Sequence, residues 1–159
     1  VFDKAGTVTA ANASTLNDGA AALVLASSVR ALKEGWKPLA RIVSHGTNAQ
    51  APEWFTTAPA EAMRRAMKKA GWEMKDVDLF EVNEAFAVVA MAARDELKIP
   101  MDRLNVWGGA IALGHPIGSS GARIVMTLVS ALRRMGKKRG VAGICIGGGE
   151  GTAVCVEIL

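Results

Sequence analysis

The sequence contains no tyrosine, only two cysteines and two histidines, and 5% aromatic residues among its 159 positions. Two cysteines cannot build a disulfide framework or a cysteine-rich metal cluster, which favours a reducing compartment such as the cytoplasm. Basic residues without interleaved aromatics argue against a nucleic-acid partner. No apolar run approaches the roughly 18 residues of a transmembrane helix, and no signal peptide precedes the first apolar segment. We therefore expect a soluble protein without a membrane partner.

The net charge of +4 is carried largely by short basic runs at residues 64–69 and 133–139. Such runs are typical of solvated helix faces and of helix C-terminal ends, where cations are favourable. The sequence also begins with valine rather than methionine. We expect it to be a piece of a longer protein, so an organelle-targeting segment is not excluded.

Half of the residues are apolar, which is enough to bury the core of one domain. Short apolar runs alternate with segments of helical periodicity, the pattern of an α/β protein. The predicted strands are residues 20–26, 38–43, 77–82, 141–147 and 152–158, with a loop at 44–58. The predicted helices are residues 28–35, 59–70, 83–97 and 119–135. We expect a mixed five-stranded sheet covered by helices and ending in a hairpin.

A glycine-rich loop at residues 108–121 holds His115, directly before Pro116. The proline favours an extended backbone at His115, and the glycines let a ligand approach the backbone closely. An imidazole in this place can act as a base or donate to an oxygen that gains charge. The alternative is a loop histidine that only bonds to backbone.

A second glycine loop, residues 147–149, follows Cys145 at the end of an apolar strand. Its N–H groups can bind an oxyanion or favour a thiolate, whereas a cysteine in an apolar strand is often inert. We assign Cys155 to the core and His45 to the surface. Met63, Met67 and Met91 fall at helical spacing and are predicted to be core residues.

Asn83 ends one predicted strand and begins a helix. This is the place where α/β proteins put functional side chains, and it is also where an asparagine can serve as a helix cap. Neither glycine loop carries the lysine and hydroxyl of a phosphate-binding loop or the spacing of a dinucleotide fingerprint. A nucleotide-hydrolysing or dinucleotide-binding function is therefore not expected.

Three segments in this order resemble the C-terminal half of the thiolases, the acetyl-CoA acetyltransferase and 3-ketoacyl-CoA thiolase family. They are Asn83-Glu84-Ala85-Phe86, Gly114-His115-Pro116-Ile117-Gly118 and Cys145-Ile146-Gly147-Gly148-Gly149. The opening segment, residues 8–21, is also similar to that family. The resemblance covers residues 1–159 and implies a thiolase-like C-terminal domain with a lead-in at 1–17 and a core at 18–159.

The resemblance implies a reversible Claisen condensation of two acyl-CoA molecules, or thiolysis of a 3-ketoacyl-CoA. Cys145 is then the acid/base at the α-carbon of acetyl-CoA. His115 activates the nucleophile and donates to the thioester oxygen, and Asn83 holds a water at the same oxygen. The N–H of Gly147 belongs to a second oxyanion hole. An enolate next to a thioester requires such donors to be in place beforehand.

By the same resemblance, Ser14 contacts the pantetheine arm of the substrate, and Phe55, Ala85 and Phe86 line the acyl pocket. Coenzyme A is substrate and product, and no further cofactor or metal is implied. No cysteine precedes residue 145, so the nucleophile has to come from an N-terminal thiolase domain or chain. The family also implies a homodimer or tetramer. The chain alone is expected to be inactive.

Two other functions compete with this one. The first is a non-catalytic, acyl-CoA-binding scaffold domain, which has no need of His115, Cys145 and Asn83 together. The second is a relative that condenses acyl-CoA with another partner, such as the hydroxymethylglutaryl-type or ketoacyl synthases. These relatives generally lack a cysteine loop paired with a Gly-His-Pro loop.

Overall fold

A computed structural model describes residues 3–159. Over this range the chain forms one mixed sheet of four strands in the order β1-β4-β3-β2. The strands are β1 (Ala40–Ala49), β2 (Leu79–Val82), β3 (Arg139–Ile146) and β4 (Glu150–Ile158). β2 and β3 are parallel, while β4 pairs antiparallel with β3 and with β1.

Helices cover both faces of the sheet. They are α1 (Ser28–Lys33), α2 (Ala58–Ala70), α3 (Ala87–Leu97), α4 (Ala110–Leu113) and α5 (Ile117–Arg134). Phe80 and Val82 of β2 belong to the apolar cluster of α2 and α3, whereas Leu79 belongs to the cluster of α5. This alternation follows from the two-residue period of a strand. Along residues 3–159, no helix combines the length and apolarity needed to cross a bilayer.

The helix α2 confirms its sequence prediction closely. Pro59 lies in the first turn, where its missing N–H costs nothing, and Gly71 ends the helix with φ 69°. Met63 and Met67 are buried among the apolar residues of the same face. The helix lies against β1 and β4 because its apolar stripe needs the sheet to cover it.

The close approach of α2 to β1 depends on Gly46. A Cβ at this position meets the carbonyl oxygen of Ala62 and lies 2.6 Å from the backbone nitrogen of Ala66. We expect Gly46→Ala to lower the free energy of unfolding by about 1–3 kcal/mol, because the helix backbone must shift. Gly121→Ala is the control, since a Cβ there meets no atom within 4 Å and α5 should gain up to about 1 kcal/mol. Equal unfolding midpoints in urea for both variants contradict this packing.

The predicted five-stranded sheet is wrong in its strand count. Residues 20–26 form no strand in the described structure, and all of them except Ala21 are exposed. A fully apolar strand is stable only between neighbours that supply hydrogen bonds and cover, and no strand within residues 3–159 pairs with it. Next to β2, the parallel bridge between Phe80 and Leu104 marks where a further chain segment borders the sheet.

Three smaller predictions also need correction. β1 continues to Ala49 through the predicted loop, because its partner β4 is long enough to pair with it. α3 begins at Ala87 rather than at Asn83, and its N-cap is Phe86. Met91 is half exposed instead of buried, although Met63 and Met67 are in the core. The hairpin of β3 and β4 is confirmed. The side chain of Ser27 caps α1 by accepting from the N–H of Arg30.

Candidate active site

The candidate site lies at the carboxyl ends of β2 and β3. Val82 pairs with Gly143, and the N–H of Asn83 donates to the carbonyl of Gly143 at 3.0 Å. Cys145 follows two residues later, near the end of β3. Because parallel strands end at the same edge of the sheet, Asn83 and Cys145 are brought to one edge from different parts of the chain.

The loop that carries His115 is fixed by the N-terminal segment. The N–H of His115 donates to the carbonyl of Thr15 at 2.8 Å, and Leu16 forms a parallel bridge with His115. Gly114 has φ 88°, and a Cβ on it overlaps the side chain of Asn17. Only glycine fits this position, since both the backbone conformation and the neighbour exclude a side chain.

The imidazole of His115 has a polar partner on each ring nitrogen. Nε2 lies 3.4 Å from Nδ2 of Asn83, and Nδ1 lies 2.6 Å from Oγ of Ser120. Burial lowers the pKa of His115, and the charge of Arg123 lowers it further. The imidazole is therefore held as a neutral group at neutral pH.

Cys145 is a buried, unpaired thiol. It belongs to the apolar cluster of α2 and α3, against which Phe55, Ala85 and Phe86 also pack. Burial raises the pKa of the Cys145 thiol. A neutral Cys145 thiol differs from the thiolate that the sequence suggested, because burial penalises the charged form.

The predicted substrate contacts meet one another in two pairs, Phe55 with Phe86 and Ser14 with Ala85. The rings of Phe55 and Phe86 meet edge to face, with centroids 6.2 Å apart. Oγ and the N–H of Ser14 both donate to the carbonyl of Ala85, at 2.8 and 3.0 Å. The Ser14 hydroxyl thus has a backbone partner within the chain, and it ties the N-terminal segment to the loop that follows β2.

Gly147 lies in the exposed turn between β3 and β4, and a Cβ on it meets no atom within 4 Å. The neighbouring Gly149 has φ 98°, and its N–H donates to the carbonyl of Ile146 at 3.1 Å. Its carbonyl accepts from the N–H of Gln50, also at 3.1 Å. The turn is therefore anchored at Gly149, while the space around Gly147 is open.

Arg123 and Ser120 are site residues that the sequence reasoning missed. Both lie in the first two turns of α5, Ser120 five residues and Arg123 eight residues after His115. Nη2 of Arg123 donates to Oδ1 of Asn83 at 3.2 Å, and Nη1 donates to the carbonyl of Gly114 at 2.6 Å. Asn83 therefore bonds to Arg123 and faces His115, and it does not cap α3. Nothing in the local sequence of α5 marks Arg123, because its role depends on the contact with Asn83, which is distant in the sequence.

Two carboxyl groups flank the site from β2 and its loop. Glu84 accepts from the N–H of Ile111 at 3.1 Å and from Nδ2 of Asn105 at 3.0 Å, which ties the β2 loop to α4. Glu81 is 4% exposed. Burial, and secondly the charge of Glu84, raise the pKa of Glu81 to about 8, against the opposing effect of Arg123. Within residues 3–159, no group of three or more His, Cys, Asp or Glu side chains is placed to hold a metal ion.

Comparisons with known proteins identify the family of this chain. The family model described as "Thiolase, C-terminal domain" matches residues 36–158, and "Thiolase, N-terminal domain" matches residues 1–29. The cytosolic acetyl-CoA acetyltransferase of Mus musculus is 53% identical over 155 residues, which cover 98% of this chain and 39% of the mouse protein.

Solved structures point to the same family. The acetyl-CoA acetyltransferase of Bacillus anthracis superposes with a TM-score of 0.97 at 45% identity, covering all of this chain and 40% of that one. Human mitochondrial 3-ketoacyl-CoA thiolase in complex with CoA gives a TM-score of 0.92 at 43% identity, again covering 40% of its length. The chain thus spans about two fifths of these relatives. Because the C-terminal domain model matches residues 36–158, which is well over half of the chain, the chain belongs to the thiolase family.

Proposed function

We propose that this chain is the C-terminal catalytic half of an acetyl-CoA acetyltransferase, active together with an N-terminal half that carries the nucleophilic cysteine. The observation that supports it most is the pairing of Asn83 and His115 at 3.4 Å, beside the strand end that holds Cys145. These groups come from three segments of the chain and converge on one edge of the sheet. A scaffold domain has no use for them in this combination.

The neutral thiol of Cys145 suits the thiolysis direction. The nucleophilic cysteine of the N-terminal half attacks the 3-keto carbon, and His115 takes its proton at Nε2. The bond between C2 and C3 breaks, leaving the enolate of acetyl-CoA, and the Cys145 thiol gives its proton to that carbon. Donors at the enolate oxygen, protonated His115 and a water held by Asn83, lower the barrier because they are already oriented. The N–H of Gly147 is assigned to the acyl-enzyme oxygen.

The N-terminal segment offers a surface for the missing half. Within residues 16–32, large apolar side chains are exposed: Leu16, Leu23, Val24, Leu25, Val29 and Leu32. Exposed large apolar side chains concentrated in one segment are typical of an interface. The match of residues 1–29 to the N-terminal thiolase domain supports an N-terminal half as the occupant. We propose that residues 20–26 become a strand of that half, which supplies the hydrogen bonds lacking here.

The remaining assignments rest on the relatives. We propose an acyl-CoA substrate with coenzyme A as product, contacted by Ser14, Phe55, Ala85 and Phe86, and no resident cofactor. A cytosolic location is proposed because the mouse relative carries that description. A homodimer or tetramer of the complete enzyme also remains a proposal, as does the boundary between a lead-in at 1–17 and a core at 18–159.

The proposed function predicts that activity depends on complementation. The chain alone should not cleave acetoacetyl-CoA, since it contains no cysteine before residue 145 to form the acyl-enzyme. Mixed with an N-terminal thiolase half, and shown by sedimentation to form a complex, it should cleave the substrate in the presence of CoA. Loss of acetoacetyl-CoA absorbance measures the reaction.

Each other outcome of this assay counts against the assignment. Turnover by the lone chain contradicts the division of roles. An assembled but inactive pair that still binds acyl-CoA favours the scaffold domain. A pair that condenses acyl-CoA only with another acceptor favours the hydroxymethylglutaryl-type or ketoacyl synthase alternative.

A further inference from the structure

The guanidinium of Arg123 joins the two loops of the candidate site. Nη1 donates to the backbone carbonyl of Gly114 in the histidine loop, and Nη2 donates to the side-chain carbonyl of Asn83 after β2. A planar guanidinium holds two acceptors in a fixed mutual geometry, which a lysine ammonium cannot do. Arg123 itself stands on α5, whose inner face is packed against the sheet. The two hydrogen bonds of Arg123 therefore start from a rigid helix.

This contact decides which way the amide of Asn83 points. Arginine has donors only, so the group that faces it must be the oxygen Oδ1. The amide nitrogen Nδ2 is then directed toward Nε2 of His115, 3.4 Å away. Because Nδ2 is a donor, the facing Nε2 has to carry a lone pair rather than a hydrogen.

The other side of the ring fits the same arrangement. With Nε2 unprotonated, a neutral His115 carries its hydrogen on Nδ1 and donates it to Oγ of Ser120 at 2.6 Å. The Ser120 hydroxyl can then donate to the carbonyl of Pro116 at 3.1 Å. In this one pattern, each contact from Arg123 to Pro116 joins a donor to an acceptor. The reverse orientation of the amide places two donors against each other.

We propose that Arg123 is a positioning residue that fixes the Asn83 carboxamide and thereby holds His115 in the tautomer with a free Nε2. A free Nε2 is what a base needs in order to take a proton from a thiol. The catalytic consequence rests on the proposed function, whereas the tautomer itself is a property of this chain. Arg123 acts through Asn83 and need not touch the substrate.

The tautomer is tested by nitrogen NMR on the assembled pair, with ¹⁵N-histidine in this chain only. The chain has two histidines, and the exposed His45 serves as an internal reference. In the unsubstituted chain, the ¹⁵N shifts of His115 should show the hydrogen on Nδ1. Arg123→Lys keeps the positive charge but loses the planar pair of donors that binds Asn83 and Gly114. We therefore expect His115 to become a mixture of both tautomers. Arg133→Lys, an exposed position on the same helix, is the control and should leave the spectrum unchanged.

Kinetics of the same pairs provides the second readout. Arg123→Lys should lower kcat by about 10²-fold, the loss typical of a misplaced catalytic group, with a much smaller change in KM. A side chain that only binds substrate charge would raise KM and be rescued by lysine. If Arg123→Lys does not fold, as judged by circular dichroism, Arg123→Gln is measured with the same expectations, since it also lacks the two guanidinium donors.

The outcomes separate the two proposals. Unaltered His115 shifts in the Arg123 variants, or full activity of Arg123→Lys, overturn the positioning role. If the unsubstituted pair shows no turnover, the proposed function is contradicted. If the tautomer of His115 still responds to substitution of Arg123, the positioning role stands.

Discussion

Replacing Cys145 by alanine should lower the kcat of the assembled pair for acetoacetyl-CoA thiolysis by about 10²–10⁴-fold, the range for loss of a general acid or base. The thiol lies near the end of β3 and is the proton donor to the enolate carbon in the proposed reaction. Acyl transfer to the cysteine of the N-terminal half does not require this proton. Exchange of labelled CoA into acetyl-CoA should therefore stay detectable while thiolysis is lost.

Cys155→Ala is the matched control for this experiment. Cys155 is also buried and unpaired, but it lies in the middle of β4, opposite Val141, with no glycine turn beside it. Its substitution should cost about 1 kcal/mol of stability and leave kcat nearly unchanged. Equal kinetic losses in the two variants point to a packing effect and contradict a catalytic role for Cys145.

Elements that carry their own physical signal were predictable from the sequence. The helix α2 has a proline in its first turn, a terminal glycine and a complete apolar face, so its limits follow from local chemistry. The β3 and β4 hairpin likewise has two apolar runs around a glycine turn. Residues 20–26 have an equally clear strand pattern, but a strand needs partners. The pattern therefore indicates neighbouring strands that residues 3–159 do not provide.

For the site, the sequence identified residues whose types and flanking glycines indicate reactivity, such as His115. It missed Arg123, because a positively charged residue on a helix is usually solvated and nothing local distinguishes this one. Its role depends on a contact with Asn83, forty positions away in the sequence. The protonation states of Cys145 and His115 were also beyond local inference, since burial, which is a property of the folded chain, decides both.

The buried carboxyl group of Glu81 should make the stability of the chain strongly dependent on pH. Its pKa is raised from an ordinary 4.5 to about 8 by burial and by Glu84, with Arg123 acting in the opposite direction. Between these two pH values the folded chain keeps a proton that the unfolded chain releases. The free energy of unfolding is therefore highest below pH 4.5, as far as Glu81 contributes, and falls as pH rises toward 8. The fall is on the order of 4 kcal/mol.

Glu81→Gln removes this titration while keeping the size and shape of the side chain. The variant should match the unsubstituted chain near pH 5 and exceed its stability near pH 8 by roughly 4 kcal/mol, because glutamine has no charge to bury. Urea unfolding of both proteins across this range measures the difference. Glu96→Gln, at an exposed position on α3, should follow the unsubstituted chain at every pH. A stability difference between Glu81→Gln and the parent that does not change with pH means that Glu81 ionises alike in both states, and its burial then carries no such cost.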